Sequence, residues 1–105
     1  MNAEAVARHR DLANLLAKRF LSAQLAAVPA DFLTWAVALR ATEYAAWRLT
    51  SGEISAIVTG TVAGRPIRVA TVFPTVPQFM RDVADTLPAF NSPAPAARIP
   101  LPEAA

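Results

Sequence analysis

The chain has 105 residues, which suffices for one domain with a modest hydrophobic core. It has no cysteine, so disulfides, thiolate metal sites, iron–sulfur clusters and cysteine nucleophiles are excluded. The formal net charge of +2 reflects a small excess of arginine and does not make a polybasic surface.

No stretch of the chain is apolar enough to suggest a membrane span. The longest uncharged runs, 20–30 and 54–64, have eleven residues each, whereas a membrane-spanning helix needs roughly 20. Glu4 and Arg8 interrupt the N-terminal stretch before any apolar run begins, which argues against a signal peptide. We therefore expect a cytoplasmic protein with no membrane partner.

A first helix is predicted at the N-terminus. Asn2 is a favourable cap, and Glu4 lies in the first turn, where a negative charge suits the helix dipole. Pro29 ends this helix, because proline cannot continue the hydrogen-bond ladder.

A second helix is predicted from Phe32 to about Thr50, with Asp31 as its cap and Gly52 placed to end it. It is apolar on two sides, whereas a surface helix needs only one apolar face. The second stripe comprises Leu33, Val37, Arg40, Tyr44 and Trp47. This stripe is either part of the core or a protein-binding surface, since Trp, Tyr and Arg are enriched in binding hot spots.

The stretch 54–73 predicts a β-hairpin with its tip at Gly64-Arg65. Its apolar face pairs Val62 with Ile67, Gly60 with Val69, Val58 with Thr71 and Ala56 with Phe73. The other face carries Thr61 with Arg68 and is polar near the tip. A lone hairpin leaves two unpaired edges, and a homodimer through the hairpin edge strands would cover one edge of each hairpin by forming a four-stranded sheet.

A third helix begins at the capping box formed by Thr75 and Gln78 and ends at Pro88. Its apolar stripe comprises Val76, Phe79, Met80, Val83 and Leu87. The predicted fold is therefore a single α+β domain over 1–87, with two N-terminal helices, a hairpin and a third helix packed on it. The Pro/Ala-rich segment 88–105 is predicted to be an extended or disordered tail.

Catalysis finds little support in the sequence. The single histidine, His9, is flanked by arginines on the first helix, which is typical of a solvated surface residue. Asp82 and Asp85 form a solvated pair on the third helix, with too few oxygen ligands for a metal site. We expect no enzyme activity, no metal and no cofactor.

Nucleic-acid binding is the alternative function. Helices followed by a hairpin resemble a winged helix in outline, with Arg65 and Arg68 near the wing tip. A recognition helix should be basic on one face, yet the second helix offers only Arg40 and Arg48. The net charge is also low for a protein that must neutralise several phosphates.

The expected function is that of a small, non-enzymatic protein-binding module acting as an adaptor, an assembly subunit or a stoichiometric inhibitor. A phage- or plasmid-encoded inhibitor of a host defence system, such as an anti-CRISPR protein, is one example of this class. Size and the lack of catalytic groups favour it, and no single residue demonstrates it.

Overall fold

The computed structural model describes residues 2–84. Its elements in chain order are α1 (Ala3–Arg19), β1 (Ala23–Ala26), α2 (Pro29–Ala38), β2 (Glu43–Arg48), β3 (Ile54–Val62), β4 (Arg65–Phe73) and α3 (Val76–Phe79), which continues into a π-helical turn (Met80–Ala84). The predicted α+β class is confirmed, but two of the four strands lie in segments that the sequence predicts as helix. No helix within 2–84 is long and apolar enough to cross a membrane.

The four strands form one sheet in the order β1-β4-β3-β2. Strands β2, β3 and β4 are antiparallel neighbours, and β1 pairs with β4 in parallel. The hairpin of β3 and β4 is therefore the centre of the sheet. The prediction of a homodimer through the hairpin edge strands is wrong, because β1 and β2 of the same chain already pair with both edges.

The helices pack on one face of the sheet. The strand residues buried beneath them are Ile54, Ala56 and Val58 on β3 and Ile67, Val69 and Phe73 on β4. Phe73 lies at the centre of this core. Its ring centroid is 5.8 Å from that of Phe32 on α2 and 5.5 Å from that of Phe79 on α3, and both pairs of rings pack edge to face. The predicted packing of the third helix on the hairpin is observed.

Helix α1 begins as predicted and ends ten residues before Pro29, at Arg19. Asn2 Oδ1 accepts a hydrogen bond from the Glu4 amide at 2.8 Å, which makes it a true cap. The predicted end at Pro29 is wrong, because the chain leaves the helix to form β1. Pro29 is instead the first residue of α2, a position that suits proline since its missing N–H is not needed there.

The second predicted helix, 32–50, is also wrong. Helix α2 ends at Ala38, and Arg40 then adopts a left-handed backbone with φ 49°. The amides of Arg40 and Ala41 donate to the carbonyls of Val37 and Ala36 at 3.1 and 3.0 Å, which is the Schellman pattern of helix termination. The chain then enters β2.

The predicted hairpin tip is displaced by one residue. The turn is Ala63-Gly64, with φ values of 51° and 78°, as in the primed two-residue turns that match the twist of a hairpin. The observed register pairs Val62 with Arg65 and Gly60 with Ile67, two residues away from the predicted register. Because side chains alternate with a period of two, the apolar face is nevertheless the predicted one.

The start of α3 is confirmed, since Thr75 Oγ1 accepts a hydrogen bond from the Gln78 amide at 3.2 Å. Phe79 and Val83 from the predicted stripe are buried, whereas Val76 and Met80 are exposed. The predictions for Asp85, Leu87, Pro88 and the segment 88–105 lie outside the described residues.

Candidate functional site

The sheet has a second face, which points away from the helices. We call it the open face, and it is formed by Gln24, Ala26, Glu43, Ala45, Trp47, Ser55, Ile57, Thr59, Thr61, Pro66, Arg68, Ala70 and Val72. None of the described helices packs there, because their buried residues all belong to the core on the opposite face. The open face therefore has no described helix or strand packed upon it.

A polar row crosses the open face from one edge of the sheet to the other. The strand register places Gln24, Arg68, Thr59 and Glu43 directly side by side on β1, β4, β3 and β2. Arg68 and Glu43 are exposed and lie on opposite sides of Thr59. Among residues 2–84, neither charge has an ion-pair partner. The row thus offers one cation and one anion to a binding partner.

Two further rows follow the polar row along the strands; we call both apolar rows, although the second has Ser55 between its two apolar residues. The first comprises Ala26, Ala70, Ile57 and Ala45, and the second comprises Val72, Ser55 and Trp47. Val72 is 43% exposed, and Trp47 and Ile57 are half-buried. Because alanine side chains are short, they project little from the middle of this surface, and another surface can therefore approach it closely.

Two shallow depressions flank Arg68. One, of about 270 Å³, is walled by Glu43 and Trp47, with Ala45 and Ile57 also lining it. The other, of about 230 Å³, lies toward β1 and is lined by Ser22, Gln24 and Pro66 among others. Each has the size of a few side chains, so the surface suits side chains of a partner better than a large cofactor.

The residues predicted as one protein-binding stripe do not form one surface. Leu33 and Val37 lie on the same side of α2, and Arg40 forms the Schellman turn. Tyr44 and Trp47 lie on opposite faces of β2, because they are three positions apart on a strand and successive side chains alternate between its faces. The helical stripe is wrong for this reason, and Trp47 is its one member on the open face.

The side chain of Tyr44 is half-buried and hydrogen-bonded within the same chain. Its hydroxyl donates to the Ala41 carbonyl at 2.7 Å, on the side of β2 that faces the helices. Burial raises the pKa of the Tyr44 phenol above its usual value, because the buried environment disfavours the phenolate. Tyr44 thus supports the α2–β2 connection from within the helical layer.

The two arginines of the predicted wing tip are separated by the sheet. Arg65 Nη1 donates to the carbonyls of Ala17 and Phe20 at 2.7 and 3.0 Å, so it caps the C-terminus of α1. Arg68 lies on the open face, since it is three positions from Arg65 along β4 and its side chain therefore points to the opposite side of the sheet. The helix–helix–hairpin outline that suggested a winged helix is not the observed topology.

His9 is not the solvated residue that the sequence predicts. Its ring packs edge-on against Trp35, with 4.6 Å between ring centroids, and its Nδ1–H donates to the Ala5 carbonyl at 2.6 Å. Asp82 accepts a hydrogen bond from Arg81 Nε at 3.0 Å. Within the described part of the chain, no group of three or more His, Asp or Glu side chains could hold a metal ion.

Sequence reasoning missed three of the four residues in the polar row. Gln24 and Glu43 lie on β1 and β2, which the composition presents as helix, and the register predicted for the hairpin places Thr61, rather than Thr59, opposite Arg68. The signal that could have found Thr59 and Arg68 together is the hairpin alternation, read with the tip at Ala63-Gly64.

The open face combines an apolar patch with two exposed charges of opposite sign. It brings together residues from all four strands, so it exists only in the folded chain. Comparisons of the chain with protein-family models, with curated proteins and with solved structures found no match.

Proposed function

We propose that the protein is a non-enzymatic protein-binding module that binds its partner on the open face of the sheet. The observation that carries the proposal is the arrangement of three cross-strand rows on a face that no described helix covers. Antiparallel sheets often leave one face to solvent, but such a face is then usually polar. Here Trp47, Ile57 and Val72 are apolar.

The chemistry of the partner follows from the rows. A tryptophan next to low-lying alanines gives an anchor on a flat surface, which is typical of the centre of a protein interface. Arg68 and Glu43 lie at the border of this apolar patch. The partner therefore presents a flat apolar surface with one acidic and one basic group placed to meet them.

Nucleic acid is the less favoured ligand of the same face. A surface for phosphates needs several cations, and the polar row sets Glu43 close to its one arginine. A platform for single strands stacks successive bases on aromatic rings, and the open face has one aromatic ring, Trp47. The other arginine of the predicted wing tip, Arg65, is hydrogen-bonded to the C-terminal end of α1 and does not lie on the open face.

The test compares the tagged full-length chain with its Trp47→Ala variant as baits, after nuclease treatment and in the presence of untagged chain. The matched control is Leu15→Ala, which removes an exposed leucine (47% exposed) from α1 on the far side of the sheet. We expect a discrete protein, which can be the untagged chain itself, to be retained by the wild type and by L15A and lost with W47A. Circular dichroism spectra of the three baits verify that each is folded.

Equal retention by W47A and wild type would show that the partner binds elsewhere. Retained material that disappears with nuclease would identify nucleic acid as the ligand and overturn the proposal.

A further inference from the structure

We infer that the partner of the open face is a second copy of this chain, in a symmetric dimer that joins Arg68 of each copy to Glu43 of the other. The inference rests on the proposed function, since it names the occupant of the same face. Its basis is that the pattern of the open face is complementary to itself.

The polar row provides the charge complementarity. Arg68 and Glu43 are both directly opposite Thr59, one strand away on either side. Neighbouring strands lie about 4.8 Å apart, so the two charged residues are attached about 10 Å apart and symmetrically about β3. A two-fold axis that runs along β3, between two facing sheets, lays β4 of one copy over β2 of the other. It therefore brings each Arg68 to the Glu43 of the other copy, twice per dimer.

The same axis matches the first apolar row. Ile57 lies on β3 and meets the Ile57 of the second copy, while Ala45 on β2 faces Ala70 on β4. Facing sheets pack about 10 Å apart with their strands roughly aligned, and small residues on either side of one isoleucine permit that distance. A large residue at position 45 or 70 would hold the sheets apart.

The second apolar row matches as well. Trp47 on β2 of one copy faces Val72 on β4 of the other, and Ser55 on β3 faces Ser55 of the other copy. The indole then covers a valine that is 43% exposed in the single chain. The depression between Trp47 and Glu43, about 270 Å³ in volume, receives the Arg68 side chain of the second copy. One axis thus satisfies the charged row and both apolar rows together.

The test is a charge-exchange experiment on the full-length chain, read by sedimentation velocity and by light scattering after size exclusion. We expect the wild type to be a dimer. Arg68→Glu and Glu43→Arg each create two like-charge contacts per dimer, and each should raise the dimer dissociation constant about 100-fold or more. Arg8→Glu, on the exposed side of α1, makes the same charge change as R68E and should leave the dimer intact.

The decisive step is to mix the two single variants. In a mixed dimer of R68E and E43R, both cross-contacts join an acid to a base, so an equimolar mixture should regain the dimer that neither variant forms alone. The double variant R68E/E43R should also dimerise. Both single variants change exposed side chains, and we expect circular dichroism spectra to show that each is folded.

Three results would overturn the inference. A wild-type dimer whose single variants do not recombine on mixing uses another interface. A monomeric wild type that still captures a different protein through Trp47 has a heterologous partner, and in that case the proposed function stands while the dimer fails. A monomeric wild type that captures no protein at all leaves the open face without an occupant, and both the dimer and the proposed function then fail.

Discussion

At the scale of single residues, Gly60 shows how closely the helical layer approaches the sheet. A Cβ atom on Gly60 would lie 2.5 Å from the Leu39 carbonyl oxygen and 2.7 Å from the Leu39 Cβ. These are distances that real Cβ atoms do not adopt, and the backbone of Leu39 is fixed by the Schellman turn that follows it. The end of α2 therefore rests directly on the backbone of β3, and glycine is needed there for space.

We expect Gly60→Ala to lower the free energy of unfolding by about 1–3 kcal/mol, the usual cost of an overpacked core. Urea denaturation followed by circular dichroism measures the change. Lys18→Ala, at an exposed position of α1 away from the open face, is the control and should change stability by less than about 0.5 kcal/mol. A G60A variant as stable as the wild type would show that α2 can move away from the sheet, contrary to the observed contact.

At the scale of elements, the sequence predicts the starts of α1 and α3, whereas it misplaces the start of α2 and the ends of α1 and α2. Helix α2 begins at Pro29 with Val28 as its cap, three residues before the predicted start at Phe32, and Asp31 lies in its first turn. Asn2 and Thr75 cap their helices with their own side chains, so both starts are visible locally. The end of α1 is capped by Arg65 from a distant strand, and the end of α2 has arginine at a position where glycine is the usual signal. The only local mark at either end is the pair Lys18 and Arg19 in the last turn of α1, a weaker signal than Pro29 further along, so the sequence predicts both helices too long.

The open face was missed for the same reason. Strands β1 and β2 are rich in alanine, which favours helix. Both strands are too short for an alternation of buried and exposed side chains to outweigh that helix preference in the sequence pattern. The hairpin, with its nine-residue strands of alternating burial, was predicted with its correct core face. The sequence therefore predicts the part of the open face that lies on β3 and β4. The part on β1 and β2, which includes Trp47 and Glu43, is visible only in the tertiary structure.

The Schellman turn of α2 gives the element-scale prediction. Arg40 holds a backbone conformation with φ 49°, which costs a residue with a Cβ atom roughly 1–2 kcal/mol relative to glycine, offset by the greater entropy of glycine in the unfolded chain. We expect Arg40→Gly to raise the free energy of unfolding by about 0.5–1 kcal/mol in urea titrations. Arg40→Ala removes the same side chain but keeps a Cβ atom at the left-handed position. Comparing the two variants therefore separates the loss of the arginine side chain from the relief of backbone strain. Equal stability of R40G and R40A would disprove the backbone explanation.

At the scale of the whole molecule, the sheet divides the described chain into a covered side and an uncovered side. All of the buried aromatic residues lie between the helices and the sheet, whereas Trp47 lies on the far side. A face-to-face dimer would bury the second side and give four layers, with helices outside and two sheets inside. Folding and association would then be coupled, because the dimer interface exists only in the folded chain.

This coupling makes thermal stability depend on protein concentration. If native chains pair through the open face, each tenfold rise in concentration should raise the midpoint temperature of unfolding by about 3–5 °C, as expected for a dimer of chains of this size. The midpoint of R68E should stay constant over the same range, since its like-charge contacts keep the chains apart. R8E should follow the wild type, because its altered charge lies on the helical side. A wild-type midpoint that does not move with concentration would mean that the folded chain gains no stability from a second copy, and the open face would then belong to a different partner.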